Sequence, residues 1–187
     1  MATKKIFVIS AACRNNGIGA KGDLPWRLKN EMAFFTKMTK TTADVNKKNA
    51  VIMGRRTWDC IPQKYRPLPG RVNVVLSEQM KEKPSGADYL FNNLSDAVDA
   101  LSQVDNIEKL FVIGGERVYK NAIESPYLSR IYLTRIDADF DCDAFFPQFN
   151  IEEFAEVSDE DVPVGVHNEK GLEYRFHVYE RINKSSQ

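Results

Sequence analysis

One segment decides the fold, Leu110-Phe111-Val112-Ile113-Gly114-Gly115-Glu116-Arg117-Val118-Tyr119-Lys120. Its continuous apolar start is typical of a strand buried on both faces, and residues 117–123 show helical spacing. The two glycines let a ligand approach the backbone closely, and the helix after them offers free N–H groups and a positive dipole end to phosphate. A Gly-Gly pair alone is a weak signal, since most such pairs are simply turns.

The same strand-then-helix pattern recurs along the chain. Other β-branched apolar runs lie at Ile6–Ala12, 50–53, Val72–Leu76 and 131–133, and helical patterns lie at 28–38 and 94–101. Strands separated by helices predict crossover connections and parallel pairing. Residues 174–182 alternate in part, which favours a half-exposed antiparallel strand. We therefore expect a single α/β domain over residues 1–187, with a mixed, mostly parallel sheet flanked by helices and antiparallel at its C-terminal edge.

Composition excludes several classes of protein. The chain has 187 residues, of which 43% are hydrophobic and 28% charged, near the average for a soluble globular protein. Lys and Arg number 26 and so do Asp and Glu, so the formal net charge is zero. The chain therefore lacks the overall basic excess that would indicate nucleic-acid binding. No stretch approaches the roughly 18 apolar residues of a membrane span, and the apolar run at residues 6–9 is too short for a secretory signal.

The cysteines and histidines predict neither a disulfide nor a metal site. Three widely spaced cysteines, without a C-x-x-C pair, favour free thiols in a reducing compartment, and we expect a cytoplasmic protein. The two histidines, His167 and His177, are not spaced as a metal pair, and we expect no metal site.

A carboxylate is predicted on an apolar helix face. In a helix, Leu28, Glu31, Met32 and Phe35 fall on one side. One interpretation is a partly exposed Glu31 paired with Arg27. The other is a carboxylate at the bottom of an apolar pocket, where it would accept two parallel N–H bonds from an amidine, a guanidine or an aminopyrimidine edge. Burial would raise the pKa of such a carboxyl, and a cationic ligand would lower it again.

Two further strand ends suit phosphate. One run ends at Gly54 and continues with Arg55 and Arg56, which either bind phosphate or are a solvent-exposed pair, and another run ends in Ser77. Ligands of open α/β sheets bind beyond the carboxyl ends of the strands. Neither G-x-G-x-x-G nor a P-loop is present. The glycine-rich stretch at 15–23 is either a segment that folds over a bound ring or an ordinary flexible connection.

Taken in order, these motifs resemble dihydrofolate reductase of the animal type, over residues from about 6 to 181. Each motif alone is weak, and their combination is specific. The segments that carry the resemblance are Gly17-Ile18-Gly19, Asp23-Leu24-Pro25-Trp26, Glu31 with Phe35, Val51-Ile52-Met53-Gly54-Arg55-Arg56-Thr57-Trp58, Arg66-Pro67-Leu68-Pro69-Gly70-Arg71, Ile113-Gly114-Gly115 and Phe145-Phe146-Pro147.

The resemblance implies a monofunctional, monomeric enzyme on an eight-stranded mixed sheet. It would reduce 7,8-dihydrofolate to 5,6,7,8-tetrahydrofolate with NADPH, in support of one-carbon metabolism and thymidylate synthesis, and it would bind antifolates. The hydride would go to pterin C6 and the proton to N5. Because Glu31 would lie too far from N5, we expect a water to deliver that proton when the loop at 17–23 permits.

The resemblance also implies roles for individual residues. Glu31 would bind the ring N–H and 2-amino group of the pterin, and Thr134 would support its carboxylate. Trp26 would hold a water near that carboxylate. Leu24 is the fourth residue assigned to the catalytic set. Arg71 would pair with the α-carboxylate of the glutamate tail. The other substrate-binding residues would be Ile9, Ser10, Met32, Phe35, Ile61, Leu68 and Ile113.

The implied cofactor site draws on most of the same motifs, and its Gly114–Gly115 peptide would be cis. Asp23 is expected to be a loop or capping carboxylate rather than a catalytic one. The cofactor-binding residues would be Ala11, Ile18, Gly19, Lys21, Gly22, Asp23, Leu24, Gly54, Arg55, Arg56, Thr57, Leu76, Ser77, Glu78, Gly114, Gly115, Glu116, Arg117, Val118 and Tyr119.

Three positions depart from the family pattern. Met32 stands where vertebrate members usually have Phe, which predicts a more adaptable pocket. Glu78 and Asn92 stand where relatives often place basic residues, so we expect a preference for NADPH over NADH that is smaller than usual.

Two alternatives remain. A reductase of the same fold acting on a ribosylaminopyrimidine in flavin synthesis would not need Trp26, Glu31 and Arg71 together. The other is a non-catalytic nucleotide- or partner-binding module, against which Glu31 and the glycine loop argue.

Overall fold

Apolar runs form the strands of a sheet whose two faces are both covered. The computed structural model describes residues 2–183. Short 3-10 turns lie at Gln63–Tyr65 and Ile151–Glu153. The strands and helices of the described chain are, in order, β1 (Ile6–Ala12), β2 (Gly17–Gly19), α1 (Lys29–Lys40), β3 (Lys48–Gly54), α2 (Arg55–Cys60), β4 (Val72–Leu76), β5 (Tyr89–Phe91), α3 (Leu94–Ser102), β6 (Ile107–Gly114), α4 (Glu116–Glu124), β7 (Leu128–Ile136), β8 (Ala144–Phe145), β9 (Phe154–Glu156), β10 (His167–Glu169) and β11 (Leu172–Arg181).

The main sheet has the order β10-β11-β7-β1-β6-β3-β4-β5. Its pairs from β7 to β5 are parallel, whereas β11 runs antiparallel to both β7 and β10. The prediction of a mixed, mostly parallel sheet with an antiparallel C-terminal side is confirmed. A ninth short strand, β9, also pairs with β11, and β2 pairs with β8 in a separate two-stranded sheet.

Alternate residues of the central strands enter different cores, which explains why their apolar runs are continuous. On β3, Ala50 and Ile52 belong to one buried cluster, together with residues of α3 and α4. Val51 and Met53 belong to the cluster on the opposite face, which includes Phe34 of α1. All four strand residues are 0% exposed. Burying side chains of the size of Val51, Ile52 and Met53 stabilises the fold by about 1.5–3 kcal/mol each.

The helices lie close to their predicted places, and one hairpin was missed. The pattern at 28–38 corresponds to α1, and the one at 94–101 corresponds to α3, where Asn93 caps the helix by accepting the Asp96 N–H at 2.8 Å. Sequence analysis predicted no strand between residues 159 and 171, but His167–Glu169 form β10. Its hydrogen bonds come from β11, so its own sequence needs no strand pattern. Within residues 2–183, no helix is both long and apolar enough to cross a bilayer.

Candidate active site

Glu31 lies in the first turn of α1 and points into the protein. Its residue exposure is 7%, and Thr134 of β7, 1% exposed, donates its hydroxyl to Glu31 Oε1 at 3.0 Å. The alternative pairing with Arg27 is wrong: that guanidinium donates to Asp23 Oδ2 at 2.7 Å and to the Leu24 carbonyl at 2.9 Å. Within the described chain, Glu31 makes no ion pair.

This environment changes the acidity of the carboxyl group. The pKa of Glu31 is raised to about 7, mainly by burial and in smaller part by the negative charge of Glu169, while the Thr134 hydrogen bond opposes both. A carboxylate without a cationic partner in an apolar setting favours a ligand that brings its own N–H donors or positive charge. The site is therefore suited to a planar, protonatable nitrogen heterocycle.

Trp26 lies beside this carboxylate-bearing helix with its polar atom unused. Its side chain is 3% exposed and packs in a cluster with Leu28, Ile136 and Tyr174. The indole Nε1 finds no acceptor among the described residues. Because a buried donor normally has a partner, this N–H is suited to hold a water or a ligand atom. The predicted role of Trp26 fits this position and stays a prediction.

The residues expected to wall the substrate mostly share one apolar cluster. Met32 departs from the predicted apolar stripe, since it is 47% exposed while Phe34 is 8% exposed. Phe34 occupies the packed side of the helix instead, since it lies against Phe176 of β11 with ring centroids 4.2 Å apart. The cluster contains the buried Ile9 and the half-buried Phe35, Ile61, Leu68 and Ile113, and the predicted Ser10 is also half-buried.

Arg71 is a buried cation at the entrance to β4. It is 6% exposed, burial lowers its pKa, and it donates to Thr39 Oγ1 at 3.0 Å and to the Pro69 carbonyl at 3.1 Å. Within the described residues no carboxylate pairs with it, so it is suited to an anionic ligand. Asn73 fixes the loop before it, by accepting from the Leu68 N–H at 2.8 Å and donating to the Leu68 carbonyl at 3.0 Å.

Sequence analysis missed Thr39 and Asn73, which hold Arg71 in place. Each carries a signal that could have found it. Asn73 interrupts an apolar strand, and Thr39 lies eight residues after Glu31, on the same side of α1. Both are 0% exposed, and a buried polar side chain requires a hydrogen-bond partner.

Two helices that follow strand ends, α2 after β3 and α4 after β6, begin with uncapped amides. Gly54 and Gly115 are the N-cap residues of α2 and α4, and neither offers a side-chain acceptor to the first N–H groups. Arg55, Arg56 and Arg117 are exposed beside these helix ends. Cations and free N–H groups at strand ends are suited to a diphosphate.

Backbone geometry at the end of β6 leaves little room for side chains. Gly114 has φ +133°, and the Gly114–Gly115 peptide is cis. A Cβ built on Gly114 would lie 3.3 Å from Thr57 Oγ1, and one on Gly115 would lie 3.4 Å from it. These glycines therefore keep the backbone open between the start of α2 and the start of α4.

The glycine loop leaves the end of β1 and is held by β8. A Cβ on Gly17 would come within 2.4 Å of Cys142 Sγ, so glycine is required there. Lys21 and Gly22 have positive φ, and the Lys21 N–H donates to Asp143 Oδ2 at 2.8 Å. Asp23 accepts the Leu24 N–H at 2.8 Å, which makes it the loop carboxylate expected from the sequence.

Tyr119 links the two sides of the site. It is buried in α4, and its hydroxyl donates to the Ile9 carbonyl of β1 at 2.8 Å, while burial raises its pKa. Glu78 pairs with Arg117 at 3.4 Å. The other predicted cofactor residues range from the buried Leu76, Gly114 and Val118, through the half-buried Ala11, Ile18, Gly19, Leu24, Gly54, Thr57, Ser77 and Gly115, to the exposed Lys21, Gly22, Asp23, Arg55, Arg56, Glu78, Glu116 and Arg117.

Comparisons with known proteins agree on one family. A family model described as dihydrofolate reductase matches residues 5–181. The chain is 45% identical to the dihydrofolate reductase of Heliothis virescens over 97% of this chain and 100% of that protein. It is 44% identical to that of Sus scrofa over 94% and 97%. The solved dihydrofolate reductase of Schistosoma mansoni superposes with a TM-score of 0.83 at 36% identity, covering 97% of this chain and all of that one.

Proposed function

Because the chain belongs to the dihydrofolate reductase family, we propose that it reduces 7,8-dihydrofolate to 5,6,7,8-tetrahydrofolate with NADPH. The observation that carries this proposal is the 7% exposed Glu31, which has Thr134 as its hydrogen-bond donor and no cation beside it. The hydride goes to pterin C6 and the proton to N5, so the product gains two hydrogens across one C=N bond.

Glu31 binds the planar edge of the pterin in this proposal. Its two oxygens accept the ring N–H and the 2-amino group, a pair of parallel bonds that fixes the ring within its plane. The position of Thr134 supports this, because one hydroxyl bond at 3.0 Å restrains the carboxylate and leaves acceptor capacity for the ligand. A protonated pterin would draw the Glu31 pKa down from about 7, so ligand binding and ionisation of this group favour each other.

Arg71 binds the other end of the substrate. The Thr39 and Pro69 contacts restrain the guanidinium without neutralising it. A glutamate α-carboxylate that accepts two parallel N–H bonds from it supplies the missing charge. Between the two ends, Phe35, Ile61 and Leu68 offer half-buried apolar surface to the pterin and benzoyl rings.

NADPH, when bound, supplies the hydride. The free N–H groups at the start of α4 and the side chains of Arg55 and Arg56 are suited to hold its phosphates. Arg55, Arg56 and Ser77 would hold the 2′-phosphate, against the negative charge of Glu78. The chain's main contribution is to position two flat rings against each other in a site from which water is largely excluded.

A water delivers the proton to N5 in this proposal. A separate water is held near the Glu31 carboxylate by Trp26, through its unpaired Nε1. Leu24, half-buried after the glycine loop, limits solvent access on the same side. Glu31 acts from the opposite edge of the ring, where its negative charge raises the affinity of N5 for a proton. Movement of the loop at 17–23 controls when the water enters.

The test is consumption of NADPH absorbance in the presence of dihydrofolate, with and without methotrexate. We expect methotrexate-sensitive turnover, and a higher kcat/KM with NADPH than with NADH. Glu31→Gln should keep the fold and lose most turnover at neutral pH. An unimpaired Glu31→Gln enzyme, or equal kcat/KM values for the two cofactors, would contradict the corresponding part of the proposal.

We further propose that the enzyme acts as a cytoplasmic monomer. The cysteines support a reducing compartment, since Cys13, Cys60 and Cys142 are all free thiols. Light scattering on the purified protein and localisation of a tagged chain check the two statements separately.

A further inference from the structure

Helix α1, which carries Glu31, begins without a cap of its own. Its N-cap residue is Leu28, in an extended conformation and with no side-chain acceptor. The first N–H groups of any helix lack an intrahelical partner, so they need another acceptor. Here the acceptor comes from a distant segment: Glu169 Oε1 accepts the Asn30 N–H at 3.0 Å across 139 positions of sequence.

The carboxylate of Glu169 is itself held on both sides. Its second oxygen accepts the hydroxyl of Tyr174 at 2.6 Å, and Tyr174 is 2% exposed. Glu169 ends β10, and the turn into β11 uses positive φ at Lys170 and Gly171. The ring of His167 stacks on Tyr174 with centroids 5.4 Å apart. The hairpin thus presents one fixed carboxylate to the start of the helix.

Glu169 stays ionised at neutral pH. Partial burial opposes ionisation, but hydrogen bonds from Tyr174 and from the amides of Asn30, Glu31 and Lys29 outweigh it and lower the pKa of Glu169. A carboxylate at a helix N-terminus is also favoured by the helix dipole. Its negative charge therefore faces the first turn, in which Glu31 lies.

The groups that influence Glu31 come from four elements. Thr134 of β7 donates a hydrogen bond, and Glu169 of β10 contributes a negative charge. Tyr119 of α4 and Tyr174 of β11 also interact with the Glu31 charge, and both have raised pKa values, so they are neutral at pH 7. Glu169 is the ionised member of this set.

We propose that Glu169 is a positioning residue for substrate binding: from the β10–β11 hairpin its carboxylate caps α1 and fixes the direction of the Glu31 carboxyl group in the first turn. Its charge has a second and smaller effect, because it adds to the burial that raises the pKa of Glu31. The inference rests on the proposed function only in that Glu31 is taken to be the pterin ligand.

Three variants separate the cap from the charge. Glu169→Gln keeps an oxygen acceptor for the Asn30 amide and removes the charge. Glu169→Ala removes both. The matched control is Glu173→Gln, on the same hairpin, which removes one exposed carboxylate whose side chain makes no hydrogen bond or ion pair in the described chain.

The first measurement is made on the ligand-free protein. Carboxyl-carbon NMR should show a lower Glu31 pKa than wild type in Glu169→Gln and Glu169→Ala, because a repelling negative charge is gone, and an unchanged one in Glu173→Gln. Hydrogen exchange at the Asn30 amide should be about fivefold faster in Glu169→Ala, the equilibrium effect of losing a typical helix cap. In Glu169→Gln it should stay near wild type.

The second measurement is steady-state kinetics. Glu169→Ala should raise the KM for dihydrofolate several-fold with little change in the KM for NADPH, and the pH profile of Glu169→Gln should move toward lower pH. If both Glu169 variants match Glu173→Gln in Glu31 titration, amide exchange and KM, the inference is overturned. An inactive wild-type protein would contradict only the proposed function, since the NMR titration of Glu31 and hydrogen exchange at the Asn30 amide still decide the role of Glu169. Should Glu169→Ala fail to fold, the titration of Glu169→Gln decides.

Discussion

Replacing Glu31 by glutamine should stabilise the ligand-free protein at alkaline pH. The wild-type carboxyl group has a pKa of about 7 in the folded chain, against 4.5 as its ordinary value, mainly because burial disfavours the charged form. Between these two values the folded state binds more protons than the unfolded state, so the stability of the wild type falls as pH rises. Below pH 4.5 the group is protonated in both states and has no such effect.

The size of the effect follows from the two pKa values. Integrating the proton linkage from pH 5 to pH 8.5 gives a loss of about 2.5 kcal/mol in the wild type, since one pKa unit corresponds to about 1.4 kcal/mol. Glutamine cannot ionise, and its amide oxygen still accepts the Thr134 hydroxyl. The free energy of unfolding of Glu31→Gln minus that of wild type should therefore rise by about 2.5 kcal/mol across this interval.

The assay is urea denaturation of both proteins at half-unit steps of pH, followed by tryptophan fluorescence. Exposed Glu173 provides the control, because Glu173→Gln should show no comparable change with pH. A saturating diaminopteridine should abolish the difference in wild-type stability between high and low pH, since the positive charge of the ligand compensates the Glu31 carboxylate. A stability difference between Glu31→Gln and wild type that stays constant from pH 5 to 8.5 would refute the claim that Glu31 is buried without a cation.

Three further outcomes are expected. Arg71→Ala should raise the KM for dihydrofolate about 100-fold, since charge-assisted hydrogen bonds contribute about 1.5–3 kcal/mol each. The KM for a dihydropterin without the glutamate tail should change little. An equal rise in both KM values would contradict the pairing of Arg71 with the glutamate α-carboxylate. In the wild type, Arg117 pairs with Glu78 at 3.4 Å, and Glu78→Gln removes this ion pair. The ratio of kcat/KM for NADPH to kcat/KM for NADH should therefore rise about tenfold in Glu78→Gln. An unchanged ratio would show that Glu78 does not face the phosphate. Asn93→Ala loses the cap on the Asp96 amide and should lower the free energy of unfolding by about 1 kcal/mol without changing antifolate affinity; an unshifted urea midpoint would contradict it.

The parts of the fold that depend on local pattern were predictable. The runs Ile6–Ala12 and Val72–Leu76 are strands with the predicted ends, because apolar β-branched stretches between polar loops have few other structures. The burial of Glu31 was also predictable, since helical spacing places it among apolar residues.

The parts that depend on tertiary contact were not predictable. Met32 has the same spacing as its buried neighbours, and only the folded structure shows that it is 47% exposed while Phe34 is buried against Phe176. β10 is a strand because β11 lies beside it. Glu169 carries no sequence signal for a helix that it caps from 139 positions away. Such contacts follow from the assembled sheet and not from spacing along the chain.

The distance in sequence between the partners of Glu31 has a consequence during synthesis. Its hydroxyl donor comes 103 positions after it, and the carboxylate that holds its helix contacts a residue 139 positions earlier. At a translation rate of roughly 5–20 residues per second, the nascent helix waits about 7 to 28 seconds for that carboxylate to be polymerised. An N-terminal half that emerges from the ribosome thus lacks both Thr134 and Glu169, so the surroundings of Glu31 are complete only after the last hairpin has left the exit tunnel.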